Sequence, residues 1–186
     1  MLLNSHKKDR SGAAAVEVAL VLMILLVPML LGVWEVGRLV HVHQLLSNAA
    51  REAGRQASTA NRTNEQIRAL VLNYLRQQGL TKLNQTTDNS AEVANGGKIF
   101  IGIEVYDAGS TEATPTPVQN ESGDPLDAIA ANQNDKIQIT VTVLFNDVEY
   151  SPTNFFLPST TRVSTTVSWN CMRDVPLMVN QEIPLE

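Results

Sequence analysis

The most pronounced feature of the sequence is an apolar run near its N-terminus. Val18–Trp34 contains seventeen residues without a charged side chain, and Ala13–Val16 lengthen the run towards the N-terminus. This length is at the short end of what crosses a bilayer as a helix. Three basic residues precede the run: Lys7, Lys8 and Arg10. Because Lys and Arg are enriched on cytoplasmic flanks, we expect the N-terminus in the cytoplasm and the rest of the chain across the membrane.

A single carboxylate, Glu17, stands at the start of this run. An acidic side chain at hydrocarbon depth costs roughly 2.5–3.5 kcal/mol, so it normally has a partner. Two interpretations follow. Glu17 either pairs with a positive charge in an assembly of subunits, or it reaches back to the cytoplasmic headgroups from an ordinary anchor helix.

Two further residues shape the predicted span. Pro28 removes a backbone hydrogen bond and predicts a kink near Ile24–Pro28, without ending a helix in lipid. Trp34 stands where an interfacial aromatic residue is expected. No Ala-x-Ala cleavage site follows the run, so conventional secretory cleavage is not predicted.

The helical pattern continues beyond Trp34. Apolar and small residues recur at steps of three and four: Leu39, Val42, Leu46, Ala49, Ala53 and Ala57. The pattern predicts one helix from Ala13 to about Ser58, roughly 70 Å long at 1.5 Å per residue. Its small-residue stripe suits close packing against the protein's own sheet or against another helix, and the first arrangement is the commoner one.

The remainder of the chain predicts a small α+β domain. Thr63 and Gln66 fit a capping box, and Gly79 fits the end of that second helix. Three segments alternate with period two and predict strands: Lys98–Tyr106, Lys136–Phe145 and Thr161–Met172. One-sided alternation favours an antiparallel sheet of three to four strands, with one wet face and one face on a helix.

Two connections hold candidate surface features. The segment 107–135 carries the carboxylates of Asp107, Glu112, Glu121, Asp124 and Asp127. Their spacing does not match a calcium-binding EF-hand loop, so a solvated loop is favoured over a calcium site. The apolar group Phe155–Leu157 is expected to tuck under the sheet edge; the alternative is a small patch for a partner.

Charge and composition exclude several classes of protein. The formal net charge is −5 and no basic face is visible, so no nucleic-acid partner is predicted. The lone Cys171 excludes an intrachain disulfide and is expected to be a small buried side chain. Three scattered histidines and one cysteine do not predict a zinc centre, and no catalytic motif is present. The sequence therefore predicts no enzyme, no cofactor and no metal site.

The N-terminal region resembles a known family. The residues that carry the resemblance are Arg10-Ser-Gly-Ala-Ala-Ala-Val-Glu-Val-Ala-Leu-Val-Leu22, Gly32-Val-Trp-Glu-Val-Gly-Arg38 and the helix 44–58. They are similar to TadE-like proteins, pseudopilins of the tight-adherence (Flp-type) branch of type IV pili. The resemblance implies cleavage by a prepilin peptidase after Gly12, which makes Ala13 the new N-terminus. The family's acidic residue, five positions after the cut, matches Glu17, whereas Val18 stands where this branch usually has an aromatic residue.

The resemblance also implies an organisation and a function. Residues 1–12 would be a leader removed in the cytoplasm, 13–58 a long helix with a membrane-spanning first half, and 59–186 an extracytoplasmic domain with a pilin-like fold. The protein would be a minor pilin or pseudopilin, anchored in the bacterial inner membrane and then assembled into an adhesive pilus or at its base or tip, which would make it extracellular after assembly. Its expected partners are other pilin subunits, the peptidase and the inner-membrane assembly platform. The alternative is a permanently anchored single-pass protein whose outer domain binds a ligand or a surface.

Overall fold

The computed structural model describes residues 11–87, 90, 93, 97–110, 115–148, 157–158 and 160–173. Two helices and four strands follow one another: α1 (Ser11–Ala57), α2 (Asn64–Gln77), β1 (Gln85–Thr87), β2 (Lys98–Tyr106), β3 (Lys136–Leu144) and β4 (Arg162–Asn170). Short 3-10 turns cover Ala128–Ala130 and Phe145–Asp147. This is an α+β fold in two layers, with the helices on one face of the sheet.

Helix α1 is 47 residues long and runs through Pro28 without interruption. Its second half is buried along the predicted stripe, at Val42, Leu46, Ala49, Ala53 and Ala57. This half packs on β4, β3 and α2. The prediction of packing against the protein's own sheet is therefore confirmed, and small side chains are what allow the backbone of α1 to approach the strands closely.

Helix α2 begins and ends as its sequence predicts. The Thr63 side chain accepts a hydrogen bond from the backbone of Gln66, and the Gln66 side chain accepts one from the backbone of Thr63. Gly79 follows the helix with a φ of 95°, a conformation that favours glycine. Ile67, Val71 and Leu75 are buried beneath the helix.

The sheet has the strand order β1-β2-β3-β4. The pairs β2–β3 and β3–β4 are antiparallel, with Ile101 opposite Val141 and Val141 opposite Thr165. The three strands predicted from alternation are confirmed. The bounds of β2 agree with the prediction, whereas β3 is one residue shorter and β4 is three residues shorter than predicted. The sheet is mostly antiparallel.

The short strand β1 is the departure from an all-antiparallel sheet, because it pairs with β2 in parallel. Its three residues are too few and too polar to give an alternation signal. The pairing begins beside a hydrogen bond of 3.0 Å from the Asn84 N–H to the Gly97 carbonyl. Gly97 has a φ of +75°, and a Cβ there would collide with the Lys82 carbonyl, so this position requires glycine.

The two faces of the sheet differ as predicted. Isoleucine and valine side chains of β2 and β3 are buried against the helices. On the opposite face, hydroxyls pair across β3 and β4: Thr140 with Thr166 at 3.0 Å, and Thr142 with Ser164 at 2.8 Å. Cys171 is 1% exposed, as expected of a small buried side chain.

The connection from β2 to β3 is tied down by its own carboxylates. An Asp127 oxygen accepts the Asn64 N–H at the start of α2 at 2.6 Å, and the two Asp135 oxygens accept the N–H groups of Ala108 and Asn132. Backbone N–H groups therefore donate to each of these three oxygens. Among the described residues no group of three or more His, Cys, Asp or Glu is arranged to hold a metal ion, and Glu112 lies outside them.

Candidate assembly helix and its junction with the domain

The first half of α1 is an apolar helix whose side chains are exposed. The described residues 12–30 are all exposed, and large apolar side chains dominate them. Over eighteen residues the mean hydropathy reaches 2.7, and none of that window is buried. The helix is therefore long and apolar enough to cross a membrane. Val18, the first residue of the charge-free run, is 58% exposed.

Gly12 and Ala13, the predicted cleavage residues, lie in the first turn of α1. Both are exposed, and no atom lies within 4 Å of the position that a Cβ on Gly12 would take. The first N–H groups of a helix have no intrahelical acceptor, and glycine costs about 1 kcal/mol in a helix relative to alanine. This turn is therefore easier to unwind than the apolar turns that follow.

Glu17 is exposed on α1 one turn after Ala13. Among the described residues no hydrogen bond or ion pair reaches its carboxylate. It precedes the buried Glu35 by eighteen residues, which is five helical turns or about 27 Å. Because eighteen residues complete whole turns, Glu17 projects from the same side of the helix axis as Glu35, close to the two ends of the apolar span.

Pro28 lies on the surface of the span, where it contributes to a shallow apolar groove with Met29, Gly32, Val33 and Val36. Gly32, four residues after the proline, supplies the floor of the groove because it has no side chain. Both residues therefore line the same groove on the exposed surface of the apolar span. The size of a bend at Ile24–Pro28 stays a prediction.

Trp34 and Arg38 lie at the C-terminal end of the apolar span, next to the sheet domain. The Arg38 guanidinium carbon lies 5.2 Å from the centroid of the Trp34 ring and 5.7 Å from that of Phe145. Trp34 is 48% exposed, whereas Phe145 is fully buried at the end of β3. A cation between two ring faces is stabilised by about 0.5–2 kcal/mol, depending on its desolvation. Through Arg38, the C-terminal end of the apolar span is therefore in contact with the residue that follows β3.

Glu35 is the residue that sequence reasoning missed. It is 3% exposed, and its Oε1 accepts a hydrogen bond from the Leu157 N–H at 3.2 Å. Leu157 is half-buried against the core, consistent with the predicted tuck; Phe155 and Phe156 lie outside the described residues. One feature of the sequence could have identified Glu35: it stands seven residues, or two helical turns, before Val42, on the side of α1 that carries the apolar stripe. We call Trp34, Glu35, Arg38, Phe145 and Leu157 the collar.

A family model described as TadE-like protein matches residues 12–55. Over these residues helix α1 is similar to TadE-like proteins. The match starts at Gly12 and ends two residues before α1 does, so it covers the apolar span, the collar residues of α1 and most of the buried stripe. It does not extend into α2 or the sheet. No curated protein and no solved structure matches the chain.

The TadE-like helix therefore holds all the residues singled out for assembly, in a fixed order along one axis. Gly12, Ala13 and Glu17 stand at one end, Pro28 in the middle, and Trp34 at the collar. In the structure Glu17 lies one helical turn after Ala13, and no charged side chain among the described residues pairs with its carboxylate. The match supports a protein associated with the tight-adherence pilus, and the apolar helix supports membrane anchoring.

The hydrogen bond of Glu35 gives a first prediction. Replacing Glu35 by Ala removes the acceptor of the Leu157 N–H in a buried place, and we expect the free energy of unfolding of the domain to fall by about 1–2 kcal/mol. Glu35→Gln keeps an acceptor oxygen and should lose less. Urea unfolding of the full chain in mild detergent, followed by tryptophan fluorescence, measures both.

The matched control is Glu65→Ala on the exposed side of α2, which should stay within about 0.5 kcal/mol of the parent. Equal losses in the two alanine variants would contradict the role of Glu35.

Proposed function

We propose that this protein is a structural subunit, a minor pilin or pseudopilin of a tight-adherence pilus. A prepilin peptidase cuts it after Gly12, and it is then assembled into a pilus used for surface attachment, or at the base or tip of that pilus. The observation that carries the proposal is the TadE-like match, which begins at the glycine of the cleavage site and covers a helix whose first half is wholly exposed. The role is structural, without catalysis.

The chain's topology follows from its charges. Lys7, Lys8 and Arg10 precede the apolar run, so the N-terminus stays in the cytoplasm and the sheet domain faces the other side of the inner membrane. Gly12 then lies at the cytoplasmic surface, where a peptidase reaches a first turn that unwinds at low cost. Trp34 and Arg38 lie at the opposite interface.

Cleavage explains Glu17. The cut creates an ammonium group on Ala13, one turn before the Glu17 carboxylate. Two opposite charges in a low dielectric offset part of each other's desolvation, while an unpaired carboxylate stays costly. The ammonium belongs either to the same chain or to a neighbouring subunit that packs its α1 alongside. A pair between two subunits fixes the axial register of their helices, whereas a pair within one chain only neutralises the Glu17 charge. The other subunits and the inner-membrane assembly platform are the partners.

The mature N-terminus tests the proposal. With the peptidase co-expressed, mass spectrometry should find a chain that begins at Ala13. Gly12→Leu places a bulky side chain at the cut and should lower the processed fraction by about tenfold or more, equivalent to ~1.4 kcal/mol in the transition state. Gly37→Leu, on the same helix and also in open space, is the matched control and should be processed like the parent.

An intact Met1 beside a functional peptidase would overturn the processing step. It would favour a permanently anchored single-pass protein with a ligand- or surface-binding outer domain. Alkaline extraction of the same membranes distinguishes an uncleaved anchor, which stays in the pellet, from a chain that does not insert at all.

A further inference from the structure

A preformed turn, residues 119–125, projects from the domain with two free carboxylates. The Asn120 Oδ1 accepts the N–H groups of Ser122 at 3.0 Å and Asp124 at 2.9 Å, and the Asn120 N–H donates to the Asp124 carbonyl at 2.8 Å. Gly123 closes the turn with a φ of +83°. Glu121 and Asp124 are exposed, and within the described part of the chain their carboxylates bind nothing. We call this segment the acidic turn.

A second surface has the opposite charge. Residues of α1, α2 and β4 line a groove: Asn48, Arg51, Glu52, Arg55, Tyr74 and Trp169. We call it the arginine groove. The Arg55 guanidinium is held by Glu52 through bonds of 2.7 and 3.0 Å. Bonds from Arg55 and Gln56 lower the pKa of Glu52 to about 2, so this carboxylate is ionised at neutral pH and neutralises Arg55. Arg51 is exposed and has no polar partner among the described residues, so its charge remains available.

The two surfaces lie at different edges of the sheet. The Val118 N–H donates to the Val105 carbonyl at 2.7 Å, which places the acidic turn beside β2. Trp169 belongs to β4, the edge strand on the far side of β3. No described contact joins the turn to the groove within one chain. Their complementary charges can therefore meet between two copies.

Membrane anchoring restricts how two copies can meet. Among the described residues β4 is the edge strand of the sheet, but pairing two β4 strands antiparallel in one sheet requires a two-fold axis perpendicular to that sheet. Because α1 lies against the sheet, this rotation would point the two α1 helices in opposite directions, and both could not span one membrane in the same sense. A head-to-tail contact between different surfaces keeps the helices parallel.

We propose that the acidic turn of one copy of this chain docks in the arginine groove of the next copy. The outer domains then associate head to tail while their α1 helices remain parallel. Glu121 and Asp124 face Arg51, and the rings of Tyr74 and Trp169 supply the apolar wall of the contact. The contact rests on the proposed anchoring of α1 but not on cleavage after Gly12. Since the charges are exposed, it weakens with salt, because the screening length is about 8 Å at physiological ionic strength.

Site-specific cross-linking tests the contact in full-length chains in a membrane without peptidase. One copy carries Ser122→Cys in the turn, a second, differently tagged copy carries Asn48→Cys in the groove, and a short bismaleimide links them. Cys171 is buried, and the unsubstituted chain gives the background.

We expect a turn-to-groove dimer in excess of either homotypic dimer. Glu121→Lys should lower its yield about fivefold, the effect of roughly 1 kcal/mol, and Arg51→Glu in the partner should restore it. The control Glu65→Lys should change nothing.

Three results would overturn the contact: no heterotypic dimer, homotypic dimers of equal yield, or a heterotypic yield that Glu121→Lys and Glu65→Lys change equally. Membrane pelleting of the same samples reports anchoring. Failure of the cross-link in pelleted, anchored chains refutes this contact alone. Chains missing from the pellet refute the anchoring on which the proposed function also depends.

Discussion

Replacing Glu17 by Ala is expected to abolish assembly while leaving cleavage after Gly12 nearly intact. The variant still presents Gly12 and Ala13 to the peptidase, and it inserts into the membrane more easily, since a buried carboxylate costs roughly 2.5–3.5 kcal/mol. The Ala13 ammonium created by the cut then has no counter-ion in the packed helices. Losing one partner of a desolvated pair costs about 3–5 kcal/mol, so we expect the assembled fraction to fall by at least about a hundredfold. Mass spectrometry measures processing, and quantitative immunoblotting of sheared pili measures assembly.

Two variants show whether charge is what matters at this position. Glu17→Gln has the shape of the parent without its charge and should fail like Ala. Glu17→Asp keeps the charge one methylene closer to the helix and should restore assembly in part. Normal piliation in the Ala and Gln variants would refute the pairing and leave the carboxylate as an anchor residue that reaches the headgroups.

Gly54→Ala is expected to destabilise the domain although alanine is the better helix former. Gly54 is buried where α1 crosses β4, and a Cβ there would overlap the Cδ1 and Nε1 atoms of the Trp169 indole. Overpacking a well-packed site costs about 1–3 kcal/mol, whereas the gain in helix propensity is only about 1 kcal/mol. The overlap is severe, so the overpacking cost falls in the upper part of its range, at about 2–3 kcal/mol. After the gain in helix propensity, we expect the free energy of unfolding to fall by roughly 1–2 kcal/mol in urea titrations in mild detergent.

The same substitution at Gly37 is the matched control. Gly37 lies on the same helix with no atom within 4 Å of its Cβ position, so alanine there gains propensity without a clash. We expect a stabilisation of up to about 1 kcal/mol, which makes the two variants differ in sign. A double variant, Gly54→Ala with Trp169→Phe, should recover part of the loss because the smaller ring vacates the overlap. Equal effects at the two glycines, or no coupling with Trp169, would contradict close packing at this crossing.

Much of the fold could be predicted because its signals are local. Period-two alternation identified Lys98–Tyr106 as a strand, and the Thr63–Gln66 pair identified the start of α2. Strand β1 could not be predicted in the same way. Its three polar residues have no periodicity, and their place beside β2 depends on a close approach of Gly97 to Lys82, fifteen residues away along the chain.

The residues of the candidate site also fall into two groups, those that the sequence could predict and those that depend on distant contacts. The order of Gly12, Glu17, Pro28 and Trp34 follows from one helix, so their spacing was available from the sequence. The role of Glu35 was not, because its partner Leu157 is 122 residues away along the chain. The same holds for Arg38, whose guanidinium lies between the adjacent Trp34 and the distant Phe145.

By itself the sequence determined a long apolar helix with one carboxylate at its start, a capped second helix and three alternating strands. These depend on backbone hydrogen bonds and on the period of apolar side chains, which neighbouring residues set. Only the tertiary structure decided that the small residues of α1 pack on its own sheet, that Glu35 is buried, and that the acidic turn and the arginine groove lie at different edges of the domain. Those features depend on which distant segments meet, because burial and pairing of side chains are properties of the packed layers.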